Sequence, residues 1–384
     1  MSRPGCDVLV VGLGVAGSAA ARELARRGLS VVGLDRFGPD HRRGSSHGES
    51  RLFRLLYHEA SHYVPLLRRA RADWAELEEE AGRELLLETG GLAVGPPGGA
   101  LVTGCLSTAA EHGLAFDRLT PVETRRRFPA FRPGAEQEAL VDPAAGVLRA
   151  DRCVAALRAG ARRAGAELRF REPVRRWSLR GDGLTVETGG GELRAGGLLV
   201  AAGGWTADLL EEAGEPRPPL TVERQTVHRF PAPGGGEYGP ERFPVFLLER
   251  GGDAGPMAYG VPDLGRGVKV AVHHDGEQSP RPEDVRRRLD PDEAGRARGA
   301  VDDLLPALGA SPLDGEICLY TDTPDRDFLI DRLGTDGPPV VVATGFSGHG
   351  FKFGPVVGRV AADLLTGERP EVDTTPFRLG RWSG

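Results

Sequence analysis

The chain has 384 residues, a formal net charge of −6 and 40% hydrophobic content. That length accommodates two domains, or one large domain with an insert, around a substantial core. The acidic balance excludes a nucleic-acid binder that works through a basic surface, and no segment approaches the roughly 20 apolar residues that span a membrane.

Asp7 to Val11 is a short β-branched run that predicts a buried strand. From Gly17 to Arg27, alanines and leucines recur at helical spacing, and Gly28 ends the helix. "LSVVGLD" predicts a second strand ending at Asp35. The apolar opening after Arg3 has part of the look of a secretion signal. Its ordered glycines and the charged "RELARRG" that follows favour a first strand and helix of the fold instead. "VVGLGVAG" fits G-x-G-x-x-G at Gly12, Gly14 and Gly17. Such glycines permit a tight turn and let a pyrophosphate approach a helix N-terminus. Asp35, 18 residues beyond Gly17, stands where an acid binds ribose hydroxyls. An acid there disfavours NADP and leaves NAD and FAD open.

The run "GSSHGESRLFRLLYHE" gathers Ser45, His47, Arg51, Arg54, Tyr57 and Glu59. It reads either as a surface loop or as a carboxylate clamp built on its arginines. "HEASH", His58 to His62, matches the zinc-protease pattern H-E-x-x-H. Pro65 predicts a helix over Pro65 to Gly82 with the motif left in the loop before it, so the match is read as chance and no metal is expected. "RADRCVAALRAGARRAGAELRF" predicts a helix and then a strand, and "GLLVAAGGW" a buried strand ending in glycines.

From Pro218 to about Cys318 the texture changes to glycine-rich and proline-rich turns such as "PAPGGGEYG" between short alternating strands. In "GVKVAVHH" the alternation puts Lys269, Ala271 and His273 on one face. The tail returns to strand "PPVVVATG", a glycine loop and helix "GPVVGRVAADLLTG". The expected architecture is α/β plus antiparallel β. A doubly wound, Rossmann-like dinucleotide-binding domain comprises residues 1–85, 146–217 and 319–384. A discontinuous, mainly antiparallel substrate domain comprises 86–145 and 218–318.

The arginine clusters at 125–127 and 286–288 have acids nearby and read as solvated faces. The four cysteines, Cys6, Cys105, Cys153 and Cys318, fit no metal spacing and suggest a reducing cytosol. Cys318 alone would read as a small buried core residue. Only two of the 49 basic residues are lysines, Lys269 and Lys352. Lysine is a compact ammonium whose pKa responds to burial, so in an arginine-biased chain it points to sites needing a point charge. The plain alternatives are an edge-strand lysine at 269 and a solvated loop lysine at 352.

Together these pieces resemble the monomeric sarcosine oxidase and N-methyltryptophan oxidase family of flavoproteins, within the D-amino-acid oxidase superfamily. The resemblance covers nearly the whole chain. It is carried most specifically by "ICLYTDTPDRDFLID", "GFSGHGFKF" and "TTPFRLGRW". It implies FAD joined covalently to Cys318, with Lys269 activating oxygen and Arg54 with Lys352 binding the substrate carboxylate. Arg51, Tyr259 and His273 match active-site positions, and Tyr57 and Tyr320 match pocket aromatics. Cofactor contacts are implied at Gly12, Gly14, Gly17, Asp35, Arg36, Ser46, His47, Arg51, Val174, Gly203, Gly348, His349, Gly350, Phe351 and Lys352. Two departures, Ser46 before His47 and Leu55 after the clamp arginine, bear on substrate identity. The implied reaction removes two electrons from a secondary or tertiary amino acid as a hydride equivalent. The imine then hydrolyses, and oxygen becomes peroxide. A cytoplasmic monomer acting on a small amino acid and O2 is expected. The alternatives are a biosynthetic oxidase of a cyclic imino acid, an NAD-dependent dehydrogenase and a zinc hydrolase.

Overall fold

The computed structural model describes residues 5–180, 183–251, 256–334 and 337–382. The N-terminal β-branched run forms strand Cys6–Val11. It pairs in parallel with Val31–Asp35 on one side and Gly191–Val200 on the other. Glu167–Phe170 extends the parallel order beyond Val31–Asp35, and Val340–Thr344 extends it beyond Gly191–Val200. The central strands are covered on both faces, which is why they read as continuous apolar runs rather than alternations. Val174–Arg180, Gly183–Thr188 and Leu329–Leu333 add antiparallel strands, for eight in all.

Helices Val15–Arg26, Ala150–Arg163 and Gly354–Thr366 share one apolar core beside this sheet. Val15–Arg26 and Gly354–Thr366 touch closely because position 358 is glycine. A Cβ there would stand 2.6 Å from the Ala19 and Ala20 backbone. The helix expected from Pro65 begins two residues earlier, as Tyr63–Ala81, with Pro65 in its first turn. It stops at Gly82, which takes the left-handed conformation at φ 61°. HEASH lies ahead of it, as its proline predicts.

The second sheet has nine strands. Thr221–Phe230 pairs antiparallel with Val268–Val272 and with Asp314–Asp322. Ala258–Val261, Val245–Leu248, Gly91–Gly95, Glu138–Asp142 and Asp117–Leu119 continue beyond Val268–Val272. All its pairings are antiparallel except Val245–Leu248 with Gly91–Gly95. Val268–Val272 is thus an inner strand, and Lys269 is not an edge lysine. The expected change of domain at 318/319 falls inside the continuous strand Asp314–Asp322. Among the described residues no helix is long and apolar enough to cross a membrane.

Candidate active site

A cavity of about 570 Å³ runs from the first sheet to the second. Every site residue expected from the sequence lines it except Gly17 and Tyr57. At one end the strand Cys6–Val11 turns into its helix. Gly12 has φ 94°, and a Cβ there would collide with the Ala201 carbonyl. Gly17 serves the turn from behind, since its Cβ would collide with the Gly12 carbonyl. Asp35 accepts from Leu13 N–H at 2.9 Å and Phe37 N–H at 2.8 Å. Burial opposes its charge, but His41 and those N–H groups hold the carboxyl below its ordinary range. Arg36 pairs with Glu283 at 2.8 Å. Ser46 Oγ accepts from Val15 N–H at 3.0 Å, tying the arginine-rich loop to the helix N-terminus.

Three residues at this end were not singled out in the sequence. Phe37, His41 and Trp205 make an aromatic edge, with ring centroids 4.9 Å and 5.4 Å from Phe37. Their sequence signal is diffuse, because Trp205 joins the other two only through the fold.

In the middle, Arg51 donates to the carbonyls of Ser45, His47 and Ser50, each at 2.8 Å, and lies 3.6 Å from Cys318 Sγ. His47 Nε2 donates to Ile317 O at 3.0 Å. Its Nδ1 is buried without a partner, and burial with the Arg51 charge holds the ring neutral, down to about 4. Cys318 is the one cysteine of the four that lines the cavity. Cys105 and Cys153 are locked on backbone carbonyls in the core. Lys269, 5% exposed, donates to Ser50 O at 2.8 Å. Burial, then Arg51 and Arg229, push its pKa down to about 7.

At the far end the cavity is lined by Tyr259, His273 and Tyr320 and by Arg54, His349 and Lys352. Tyr320 OH lies 3.2 Å from His273 Nδ1. Gly348, at φ 79°, brings the glycine loop against the Tyr320 ring, where any Cβ would clash. Lys352 follows in the short turn Phe351–Phe353 before helix Gly354–Thr366. Its ammonium is 5% exposed and donates to His349 O at 2.8 Å. It is therefore no solvated loop lysine. Trp74 Nε1 donates to the Lys352 carbonyl at 2.8 Å, fixing the turn from the helix side. Burial, then Arg54, lower the Lys352 pKa to about 7. Tyr57 does not line the cavity. It lies under the two cations, with the Arg54 guanidinium 4.3 Å and Lys352 Nζ 5.1 Å from its ring centre. Its hydroxyl meets His349 Nδ1 at 2.7 Å, and His349 Nε2 meets Arg326 O at 3.2 Å. That pair fixes one neutral tautomer, and burial holds His349 down to about 3.

Glu59 is the residue whose part the sequence did not disclose. Its carboxylate takes a hydrogen bond from Arg54, and it also lines the cavity. The HEASH histidines go elsewhere: His58 Nδ1 lies 3.1 Å from Glu59 and His62 Nε2 3.1 Å from Asp327. Neither lines the cavity.

A cavity of this volume, with the glycine turn and Asp35 in its lining, suits a dinucleotide. The glycine turn suits a pyrophosphate, and the buried His47 Nδ1, which has no protein partner, can accept a hydrogen bond from a ligand. The family described as DAO, FAD dependent oxidoreductase, matches residues 7–364. Monomeric sarcosine oxidase from Streptomyces avermitilis is 42% identical over 370 residues, covering 95% of this chain and 94% of that protein. N-methyl-L-tryptophan oxidase from Salmonella agona is 34% identical over 383 residues, 98% of this chain and 99% of that one. The solved structure of NikD, an unusual amino acid oxidase essential for nikkomycin biosynthesis, superposes with a TM-score of 0.85 at 27% identity, covering 97% of each chain. FAD, rather than NAD, is therefore the dinucleotide, and the chain belongs to the family of FAD-dependent oxidoreductases that includes the sarcosine and N-methyltryptophan oxidases.

Proposed function

We propose that the chain oxidises the C–N bond of a secondary or tertiary amino acid, N-methylated or cyclic, with FAD linked to Cys318 and O2 as electron acceptor. The observation that carries this reading is that two buried cations, Arg54 and Lys352, line the same cavity as Cys318 and Lys269. FAD, when bound, supplies the two-electron acceptor for the amine carbon and the donor to oxygen.

The residues that would hold it are Gly12, Gly14, Asp35, Arg36, Ser46 and Val174 at the nucleotide end. Arg51, His47, Gly203, Cys318 and the Gly348–Lys352 loop would serve the ring end. Arg54 and Lys352 orient the substrate through its carboxylate, which fixes the position of the reacting carbon. Tyr259, His273 and Tyr320 line the same cavity and limit the water that enters it. His273 is held neutral by burial, so it can take a hydrogen bond from an N–H but adds no charge. Lys269 places a compact ammonium where negative charge develops as oxygen is reduced. The N-terminus of helix Gly354–Thr366 adds positive potential to the same end of the cavity. A chain acting alone, as a monomer, on a small amino acid is the partner state this reading entails.

A panel of N-methyl and cyclic amino acids with peroxide readout tests the proposal. Activity on at least one amino acid, and none on its decarboxylated amine, is expected. Equal turnover of acid and amine overturns the carboxylate assignment. The likeness to NikD, an amino acid oxidase essential for a biosynthesis, supports a second reading, a biosynthetic oxidase, for which oxidation within the ring of a cyclic imino acid is the reaction to test. Formaldehyde marks N-demethylation, and its absence with peroxide formed marks ring oxidation.

A further inference from the structure

Behind the wall made by His273 and Tyr320 lies a polar cluster that the reaction does not use. Glu223 is on the central strand Thr221–Phe230, and Asp322 ends the strand paired with it. His274 follows Val268–Val272, the strand paired on the other side. None of the three lines the cavity. One nitrogen or oxygen from each lies within 4.8 Å of the others. His274 Nδ1 is 2.8 Å from Glu223 Oε2 and 3.7 Å from Asp322 Oδ2. Ligands bonded tetrahedrally at roughly 2.0–2.1 Å stand about 3.4 Å apart, a separation these distances bracket.

Two further observations point to a ligand. Asp322 is 7% exposed, and its Oδ1 is buried with no hydrogen-bond partner. Buried carboxylate oxygens are otherwise hydrogen-bonded, paired or metal-bound. The other acid is oriented from outside: Glu223 Oε1 accepts from Gly276 N–H at 3.0 Å and from the Gln225 amide, which leaves Oε2 turned to the imidazole. Such outer hydrogen bonds are how metal-ligating carboxylates are aimed. His274 itself sits at φ 56°, a left-handed conformation uncommon outside glycine. Its ring packs 4.2 Å from His273 and 5.4 Å from Tyr320.

We propose that Glu223, His274 and Asp322 bind a divalent transition-metal cation of the zinc type. One imidazole and two carboxylates suit a borderline cation, and a water completes four-coordination. The ion takes no part in redox chemistry. It locks His274, and through ring packing it steadies His273 and Tyr320 on the substrate side.

The test uses untagged holoenzyme stripped with a chelator and then titrated with Zn2+. Metal content is measured after gel filtration, with calorimetry for affinity. One zinc per chain, bound at about micromolar or tighter, is expected in the wild type. His274→Asn keeps a side chain that tolerates the left-handed backbone, and it should weaken binding by more than about 100-fold, since losing even an outer partner costs roughly 10–100-fold. Asp322→Asn should do the same, His62→Ala should keep its zinc, and flavin absorbance should persist in all three. A wild type that holds no stoichiometric zinc, or a His274→Asn variant that holds as much, overturns the proposal. The cluster is then a hydrogen-bonded network around a shared proton.

Discussion

The guanidinium of Arg54 donates to the carboxylate of Glu59, inside the cavity where a substrate carboxylate would meet Arg54. An internal acid thus occupies the cation that the substrate is proposed to use. Burial opposes the Glu59 charge, but Arg54 and then His58 hold it well below the ordinary range, so it stays ionised at neutral pH. A substrate carboxylate must displace it or share Arg54 with it. Glu59→Gln should therefore tighten a simple carboxylate inhibitor, by about tenfold for a change near 1.4 kcal/mol. It should also destabilise the free protein, because Arg54 is left buried and unpaired. The inhibitor should restore part of that loss. Spectral titration of the flavin and a melting curve read both effects. Weaker inhibitor binding would show Glu59 to be a partner of the ligand rather than its competitor. Arg54→Ala should raise KM by roughly 10–150-fold, as expected when a charge-assisted bond of about 1.5–3 kcal/mol is lost.

The pH dependence should come from lysine, not histidine. Burial holds His273 and His349 neutral well below physiological pH. Burial and neighbouring guanidinium groups bring Lys352 and Lys269 to about 7. The sign follows from linkage. Between about 7 and the ordinary 10.5 the unfolded chain binds more protons at these lysines than the folded one, so their contribution to stability rises with pH across that window. Substrate binding runs the other way. A carboxylate needs Lys352 protonated, so KM should climb above pH 7. In Lys352→Gln the KM should be nearly flat over this range, well above the wild-type value at pH 6 and approached by the wild type toward pH 9. A wild-type KM independent of pH from 6 to 9 would remove Lys352 from the clamp.

Attachment at Cys318 predicts that acid-denatured protein carries yellow flavin into the pellet. Cys318→Ser should release it to the supernatant while the native variant still binds FAD. The sulfur lies in the cavity beside Arg51, whereas Cys6, Cys105 and Cys153 are enclosed in the core, so no second cysteine should substitute. Complete release from the wild type would refute the link and leave FAD binding untouched.

The HEASH histidines should be dispensable for cofactor and metal. His58→Ala and His62→Ala should retain flavin and leave zinc content unchanged. Loss of stoichiometric zinc on either substitution would restore the protease-like reading of the motif.

The parts legible in the sequence share a physical cause. The glycine turn, Asp35, the arginine loop and the GFSGHGFKF loop are local: each carries its backbone requirement and its chemistry within a few residues. Gly348 shows this directly, since φ 79° and contact with Tyr320 both demand glycine. What stayed hidden depends on register. Glu223, His274 and Asp322 are spread over about a hundred residues of sequence and meet only because two strands pair with Thr221–Phe230. Glu59 was visible within the cluster, but its hold on Arg54 depends on how the loop folds back ahead of Tyr63–Ala81. Tyr57 matched a pocket aromatic, yet it lies beneath the cations because its hydroxyl is drawn inward to His349.

Lys269 offers the sharpest use of the chain's composition. It lies opposite Arg229 in the strand register, so two cations share one face. Arg229 is balanced by Asp314 and Glu316, at 2.8 and 3.2 Å, whereas Lys269 donates to the Ser50 carbonyl. Like charges placed opposite one another are destabilising. Arginine fills nearly every other basic position, so a preference for arginine would have filled this one too. A guanidinium is larger, planar and more diffuse, and next to Arg229 and Arg51 it would have to displace neighbours. Lys269→Arg should keep FAD and react normally with substrate, but its oxidative half-reaction should slow. Lys269→Met should slow it further, by about a hundredfold if the ammonium contributes on the order of 3 kcal/mol to stabilising developing charge. Stopped-flow spectroscopy resolves the two half-reactions. A Lys269→Met variant that consumed oxygen at the wild-type rate would reduce Lys269 to a buried strand lysine whose amine is held by Ser50.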